Sequence, residues 1–221
     1  MNGTRTMRGL LISFEGTEGG GKSTQAARLA ERLRALGRVV RVLREPGGTA
    51  IGEEIRHTLK HSAGNHAMTP EAELLLMNAS RAQLVREVIR PALAAGEVVV
   101  CDRFHDSTTA YQGYGRELDL AHVRSVLDFA IGDTRPDLTL WLRVPLELSE
   151  VRRAARLERN PALRDRFEEA DRAFFERVER GYEAIAAAEP QRVRAIDATR
   201  SIEEVAGEIW RHVEPLTQAR E

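Results

Sequence analysis

Gly16 and Gly21 bracket four residues and are followed at once by Lys22 and Ser23, the spacing G-x-x-x-x-G-K-S. Glycines let successive backbone N–H groups turn inward on phosphate oxygens, and a helix starting there adds its positive end. A Lys in this place reaches the β- and γ-phosphates of a nucleoside triphosphate, and the hydroxyl after it is a Mg2+ ligand. Gly16, Thr17, Glu18, Gly19, Gly20, Gly21, Lys22, Ser23 and Thr24 therefore form the candidate nucleotide loop, with Lys22 and Ser23 as its chemical groups. The chain has 33 basic residues, of which only Lys22 and Lys60 are lysines. One of the two thus stands where a compact, movable ammonium is needed rather than a planar guanidinium. Lys60 is expected at a helix end or loop, with no role. No N-K-x-D segment for reading guanine is present, which argues against a GTPase.

Three further groups of chemically useful residues follow the loop. They are Arg44-Glu45-Pro46-Gly47-Gly48-Thr49, then Met77 and Arg81 four apart, then Asp102-Arg103-Phe104 with Ser107, Thr108, Tyr111 and Gln112. Taken together these are a guanidinium set, an aromatic and an amide around one cleft, where the ends of the strands should converge.

The elements that must position these groups are legible as alternating patterns. Short apolar runs at Leu10 to Phe14, Val39 to Leu43, Val98 to Cys101, Leu138 to Val144 and Val193 to Ile196 read as buried strands. Between them, 22–36, 49–60, 70–94, 119–131, 147–157, 167–188 and 201–213 carry apolar residues at helical spacing. The alternation predicts a doubly wound α/β fold with a parallel sheet, whose ligands sit beyond the carboxyl ends of the strands. No repeat or Pro/Gly linker divides the chain, so 1–221 is expected to be one domain, with 1–7 as an extension.

Composition narrows the function classes. Acidic and basic residues nearly balance, leaving a formal net charge of −1, which argues against a general nucleic-acid coat or a polybasic membrane binder. The lone Cys101 excludes an intrachain disulfide framework and a multi-Cys metal knuckle. The opening residues are too polar for a signal peptide and no apolar run is long enough for a membrane span. A cytoplasmic protein that binds no nucleic-acid polymer and no membrane is expected.

Taken in order, EGTEGGGKST, REPGGT, LLLMNASRAQ, DRFHDSTTAYQGYGR, RPDLTLWL and DRFEEADRAFFERV resemble the bacterial thymidylate (dTMP) kinase family over about residues 8 to 213. The resemblance implies a P-loop NTPase fold, a five-stranded parallel sheet with helices on both faces and a short lid. It implies ATP and Mg2+ as cofactors and dTMP as acceptor, giving dTDP and ADP. Arg103 would hold the dTMP phosphate, with Arg56 as a second contact, and Asp102 would join Ser23 in organising Mg2+. Glu18 would face the acceptor's sugar or the metal. Glu45 and Pro46 would shape the pocket wall, Arg81 would hydrogen-bond thymine, and Thr108 and Gln112 would line its edge beside Ser107. Tyr111 would pack under the deoxyribose where a 2′-hydroxyl would otherwise fit.

The resemblance also implies a lid over ATP at about 152–166 that supplies arginines. Arg152 and Arg156 match it, Arg156 as the catalytic one, with Arg159 and Arg164 as alternatives and Arg166 following. Three residues or segments depart from the family pattern. Met77 stands where a Phe often stacks on thymine, Arg143 stands where an Asp is common, and 157–166 is longer than a short lid. Family members usually dimerise through helices, so a homodimer is expected. Met77 motivates the alternative of a deoxynucleotide kinase with a broader acceptor range, and a nucleotide-binding regulator without chemistry is the alternative from another class.

Overall fold

The computed structural model describes residues 8–62, 64–160 and 171–218. The expected extension at 1–7 and the lid residues from 161 onward, Arg164 and Arg166 among them, lie outside the described residues. Strands β1 (Leu10–Glu15), β2 (Val40–Arg44), β3 (Val98–Asp102), β4 (Leu138–Arg143) and β5 (Val193–Asp197) form one all-parallel sheet in the order β2-β3-β1-β4-β5. Each apolar run of the sequence is one of these strands. Glu15, Arg44, Asp102 and Asp197 extend the pairing past the apolar run, because the backbone ladder continues where the side chain has already turned polar.

The two-residue period of a strand distributes side chains to two cores. Leu10, Ile12 and Phe14 of β1 meet Ala26, Leu29 and Leu33 of α1 (Lys22–Ala35) and Val205, Ile209 and Val213 of α9 (Ile202–Gln218). On the opposite face, Leu11 and Val99 pack under α3 (Pro70–Leu84), α4 (Arg90–Ala94) and the end of α6 (Leu120–Ile131). The stretch expected as one helix over 70–94 is continuous but passes through a π-helical segment, Val85–Ile89. Pro91 follows in the first turn of α4; it has no N–H to donate and crowds the preceding turn, which favours such widening. α9 runs beyond the expected 213 and through Pro215, and Arg38 Nη2 donates to the Thr217 carbonyl at 2.9 Å near its end.

One helix was not legible in sequence: α5 (His105–Thr108), which continues as a π-helical segment Thr109–Gly115. Its contacts are tertiary. Asp106 accepts from Arg192 Nη1 and Nη2 at 2.7 and 2.9 Å, which pins α5 to the sheet beside β5. α8 (Arg172–Ala188) lies against it so closely that a Cβ on Gly115 would stand 2.6 Å from Phe174 Cε2, and one on Gly181 2.9 Å from Tyr114 Cδ2. Two more helices complete the frame around the cleft. α2 (Ala50–His61) is capped by Thr49 Oγ1, which accepts from the Gly52 N–H, and α7 (Leu146–Arg159) follows β4. The chain lays β2 and β3 on one side of β1 and β4 and β5 on the other, so the loops after β1, β3 and β4 open onto one crevice.

Candidate active site

β1 delivers the phosphate loop to this crevice. Gly16 has φ 125°, and a Cβ there would stand 2.5 Å from the Leu142 carbonyl oxygen, so only glycine lets the loop leave the strand. Gly21 (φ 83°) is the left-handed residue that opens α1. Lys22 Nζ curls over the loop and donates to the carbonyls of Gly16 and Thr17 at 3.0 and 2.7 Å. Burial, and then repulsion by Arg103, draw its pKa down to about 8 against the pull of Glu18, Asp102 and Glu15.

Ser23 Oγ, one residue on, donates to Asp102 Oδ2 at 2.5 Å, across 79 residues of chain. Two adjacent oxygen ligands at the end of a phosphate loop fit Mg2+, which keeps several waters and shares phosphate oxygens instead of needing an all-protein cage. No group of three or more His, Cys, Asp or Glu able to hold a metal occurs among the described residues.

Arg103 follows β3 in a left-handed conformation, φ 70°, unusual for a residue with a side chain. Its own N–H donates to the Phe14 carbonyl at 2.9 Å, so the turn is tied to β1. The guanidinium then reaches both sides of the crevice. Nη2 donates to Glu18 Oε1 at 2.6 Å and to Tyr111 Oη at 3.0 Å, and Nη1 donates to Ser107 Oγ at 3.1 Å. Tyr111 Oη closes the ring by donating to Glu18 Oε2 at 2.7 Å. Burial alone would raise the Glu18 pKa; Arg103, assisted by Lys22, Tyr111 and Lys60, outweighs it and holds the carboxyl down to about 2.

Two cavities meet here. The larger, about 570 Å3, is lined by the phosphate loop, Asp102, Arg44, Arg56, and Arg152 and Arg156 from α7, and its size suits a nucleotide. The second runs inward past Pro46, Met77, Arg81, Ser107, Thr108, Tyr111 and Gln112. Glu18, Glu45, Lys60 and Arg103 line both. The sequence-predicted groups therefore converge, Arg56 on the larger cavity and the expected acceptor residues on the inner one. α7 is seated on the loop: Ser149 Oγ donates to the Glu18 carbonyl at 2.6 Å, and Arg152 Nη1 to the Gly19 carbonyl at 3.2 Å.

Within the inner cavity the polar groups are already ordered. Arg81 is only 2% exposed, and each of its guanidinium nitrogens has a protein acceptor: Nε donates to Glu45 Oε2, Nη1 to Asn78 Oδ1 and Thr108 Oγ1, and Nη2 to the Phe104 carbonyl. A ligand contact from Arg81 must compete with these bonds. Gln112 Nε2 likewise donates to Glu73 Oε1 at 2.8 Å, which leaves its carbonyl oxygen for other partners. The peptide between Glu45 and Pro46 is cis, and Arg56 Nη1 donates to the Pro46 carbonyl at 2.8 Å. Arg143 turns away from the crevice and donates to Glu183 of α8 at 2.9 Å.

Sequence reasoning missed Glu15. It ends β1, is fully buried, and accepts from the Phe104 N–H at 2.7 Å, Ser107 Oγ at 2.5 Å and Tyr182 Oη at 3.0 Å, so it braces the turn that presents Arg103. Its only sequence signal is a carboxylate closing an apolar run. Burial, reinforced by Asp106, raises its pKa to about 7. Between about pH 4.5 and about pH 7 the folded state holds a proton that the unfolded chain has released, so this group makes stability fall as pH rises through that window. Glu15→Gln cannot titrate and is expected to lessen that fall, measured by urea unfolding at the two ends of the window. Equal declines in both proteins would remove Glu15 as the cause.

A cavity walled by a phosphate loop and sharing Glu18, Glu45, Lys60 and Arg103 with a second, inner pocket defines a P-loop phosphotransferase acting on a small acceptor. The comparisons with known proteins agree and go further. A family model for thymidylate kinase matches residues 14–209, and the chain belongs to that family. It is 50% identical over 206 residues to a thymidylate kinase of Synechococcus sp. (strain JA-2-3B'a(2-13)), covering 93% of this chain and 95% of the relative. A thymidylate kinase of Deinococcus radiodurans is 48% identical over 203 residues, 92% of this chain and 95% of that one. The crystal structure of thymidylate kinase from Ehrlichia chaffeensis superposes with a TM-score of 0.74 at 31% identity, over 94% of this chain and 99% of that chain.

Proposed function

We propose that this chain moves the γ-phosphoryl group of ATP onto dTMP, giving dTDP and ADP, with ATP along the phosphate loop and dTMP in the inner pocket. Family membership carries the reaction. The observation that carries the division of roles is Arg103, whose guanidinium joins Glu18 of the donor loop to Ser107 and Tyr111 of the acceptor wall. An oxygen of the dTMP phosphate attacks the γ-phosphorus, the new P–O bond forms as the bond to the β-bridging oxygen breaks, and ADP leaves with that electron pair. This transition state is loose, so it asks for positioning and charge neutralisation more than for a strong base.

In this reading Lys22 moves from the loop carbonyls to the β- and γ-phosphates, and the loop amides hold their oxygens. Arg103 and Arg56 bind the acceptor phosphate and screen it from the donor. Arg152 and Arg156, already on the larger cavity, neutralise the transferring group as part of a lid at about 152–166. Ser23 would hold Mg2+ with Asp102 helping to organise it, and the ion would supply charge neutralisation to the phosphates. Met77 and the Arg81–Thr108 pair bound the thymine, Gln112 offers its carbonyl, and the Tyr111 ring fills the space a 2′-hydroxyl would need. The chain acts as one kinase domain. Exposed Ile51, Leu75 and Phe129 on the neighbouring helices α2, α3 and α6 support a homodimer through that face. No described helix is long and apolar enough to cross a membrane.

The test is ADP release with ATP and a panel of monophosphates. We expect dTMP to be the best acceptor, dUMP weaker for want of the methyl group against Met77, and the ribonucleotide of thymine weakest. Turnover on dCMP or dGMP with none on dTMP would overturn the acceptor assignment, and binding of both nucleotides without dTDP formation would overturn the reaction.

A further inference from the structure

Lys60 has no counterpart in the sequence-based site, yet it ends α2 facing the crevice. It lies one helical turn beyond Arg56, on the same face of the helix. It is half-buried and, with Glu18, Glu45 and Arg103, is one of the four residues that line both cavities. The two acidic members of that set already have cationic partners: Glu45 pairs with Arg81 at 2.7 Å and Glu18 with Arg103 at 2.6 Å. Lys60 is nonetheless near enough to contribute to the lowering of the Glu18 pKa. Lys60 thus adds its charge to that of Arg103 where the two cavities meet, the point that an acceptor phosphate must occupy.

We infer that Lys60 is a specificity-determining contact for the phosphate of the acceptor, acting beside Arg56 and Arg103; this rests on the phosphotransferase reading above. An ammonium on a flexible four-carbon stem can stay with the phosphate as the acceptor is converted from mono- to diphosphate, which a forked guanidinium in a fixed network does less readily. The competing account is that Lys60 only balances the negative carboxyl end of α2, where cations are generally favourable.

Calorimetric titration of wild type, Lys60→Met and Lys60→Arg with dTMP and with thymidine, which lacks the phosphate, separates the two. The expected result is roughly tenfold weaker dTMP binding by Lys60→Met, the size of one charge-assisted contact, with thymidine binding unchanged. KM for dTMP should rise by a similar factor while kcat changes less than about twofold, and Lys60→Arg should recover most of the loss. Unchanged dTMP affinity, or equal weakening of dTMP and thymidine, would overturn the inference, as would a lower melting temperature as the sole effect. If wild type did not phosphorylate dTMP at all, the underlying reading would fail; if wild type did and Lys60→Met matched it, only the role of Lys60 would fall.

Discussion

Lys22→Met is expected to lower kcat by roughly 10²–10³ while leaving the protein folded, because the variant removes a charge aimed at the transferring phosphate and keeps the length of the stem. Among the described residues, Lys22 donates to the buried carbonyls of Gly16 and Thr17 and to no other acceptor, so the substitution gives up two hydrogen bonds local to the loop. The titration of this group gives a second signature. Its pKa in the free protein is drawn down to about 8, so the ammonium is charged below that pH and lost above it. kcat/KM for ATP, which reports the free enzyme, should therefore fall above about pH 8. Bound phosphates favour the ammonium, so the corresponding limb of kcat should lie at higher pH. Near-normal turnover by Lys22→Met, or a flat kcat/KM profile through pH 9, would remove the loop from the chemistry.

Arg103 is expected to show the other large effect, and its backbone separates catalysis from stability. Arg103→Ala should reduce turnover by orders of magnitude, since it deletes the group that spans both pockets. It should also destabilise the fold, because Glu18 loses its partner in a buried setting and costs several kcal/mol if still charged. Arg103→Gly removes the same guanidinium but accepts φ 70° without strain, so it should be more stable than Arg103→Ala by about 1 kcal/mol with equally low activity. Thermal melts and single-turnover assays on both variants check this. Activity that follows stability, with the Gly variant recovering turnover, would make Arg103 a structural residue. Activity lost equally in both, against different melting temperatures, is the expected outcome.

The fold was legible because the inner strands β1, β3 and β4, buried on both faces, read as continuous apolar runs, and the part-exposed edge strands β2 and β5 keep enough apolar residues to read as strands too. Arg152 and Arg156 were legible on one helix face because four-residue spacing is a local property. The segment around Tyr111 was not. Its His-Asp-Ser-Thr-Thr start and its glycines carry weak helix propensity, and its structure depends on packing against α8 and on the Asp106–Arg192 pair, whose members are 86 residues apart. Glu15 was hidden for a similar reason, since a carboxylate at the end of an apolar run reads as the point where the chain reaches water. In the fold it is buried under Phe104, Ser107 and Tyr182. Lys60 was read as idle because no spacing rule connects it to Glu18; only the fold, which sets both on the same two cavities, does so.

The pairing of Arg81 with Glu45 shows the same limit from the other side. The sequence resemblance offers Arg81 as a hydrogen-bond donor to thymine, and its place on the inner cavity agrees with that use. Arg81 is bonded to Glu45, Asn78, Thr108 and Phe104. A base that binds there gains a contact only by exchanging it for one of these, and the bonds themselves fix the shape of the pocket wall.

The central claim is that the two pockets meet at Arg103 and that the phosphoryl group passes directly between two bound nucleotides. The measurement closest to it is initial velocity over a matrix of ATP and dTMP concentrations, with the γ-phosphate of ATP labelled. The account predicts intersecting double-reciprocal lines, label only in the terminal phosphate of dTDP, and none on the protein. Parallel lines with labelled protein would mean that the phosphoryl group rests on a side chain, and the direct passage at Arg103 would be wrong.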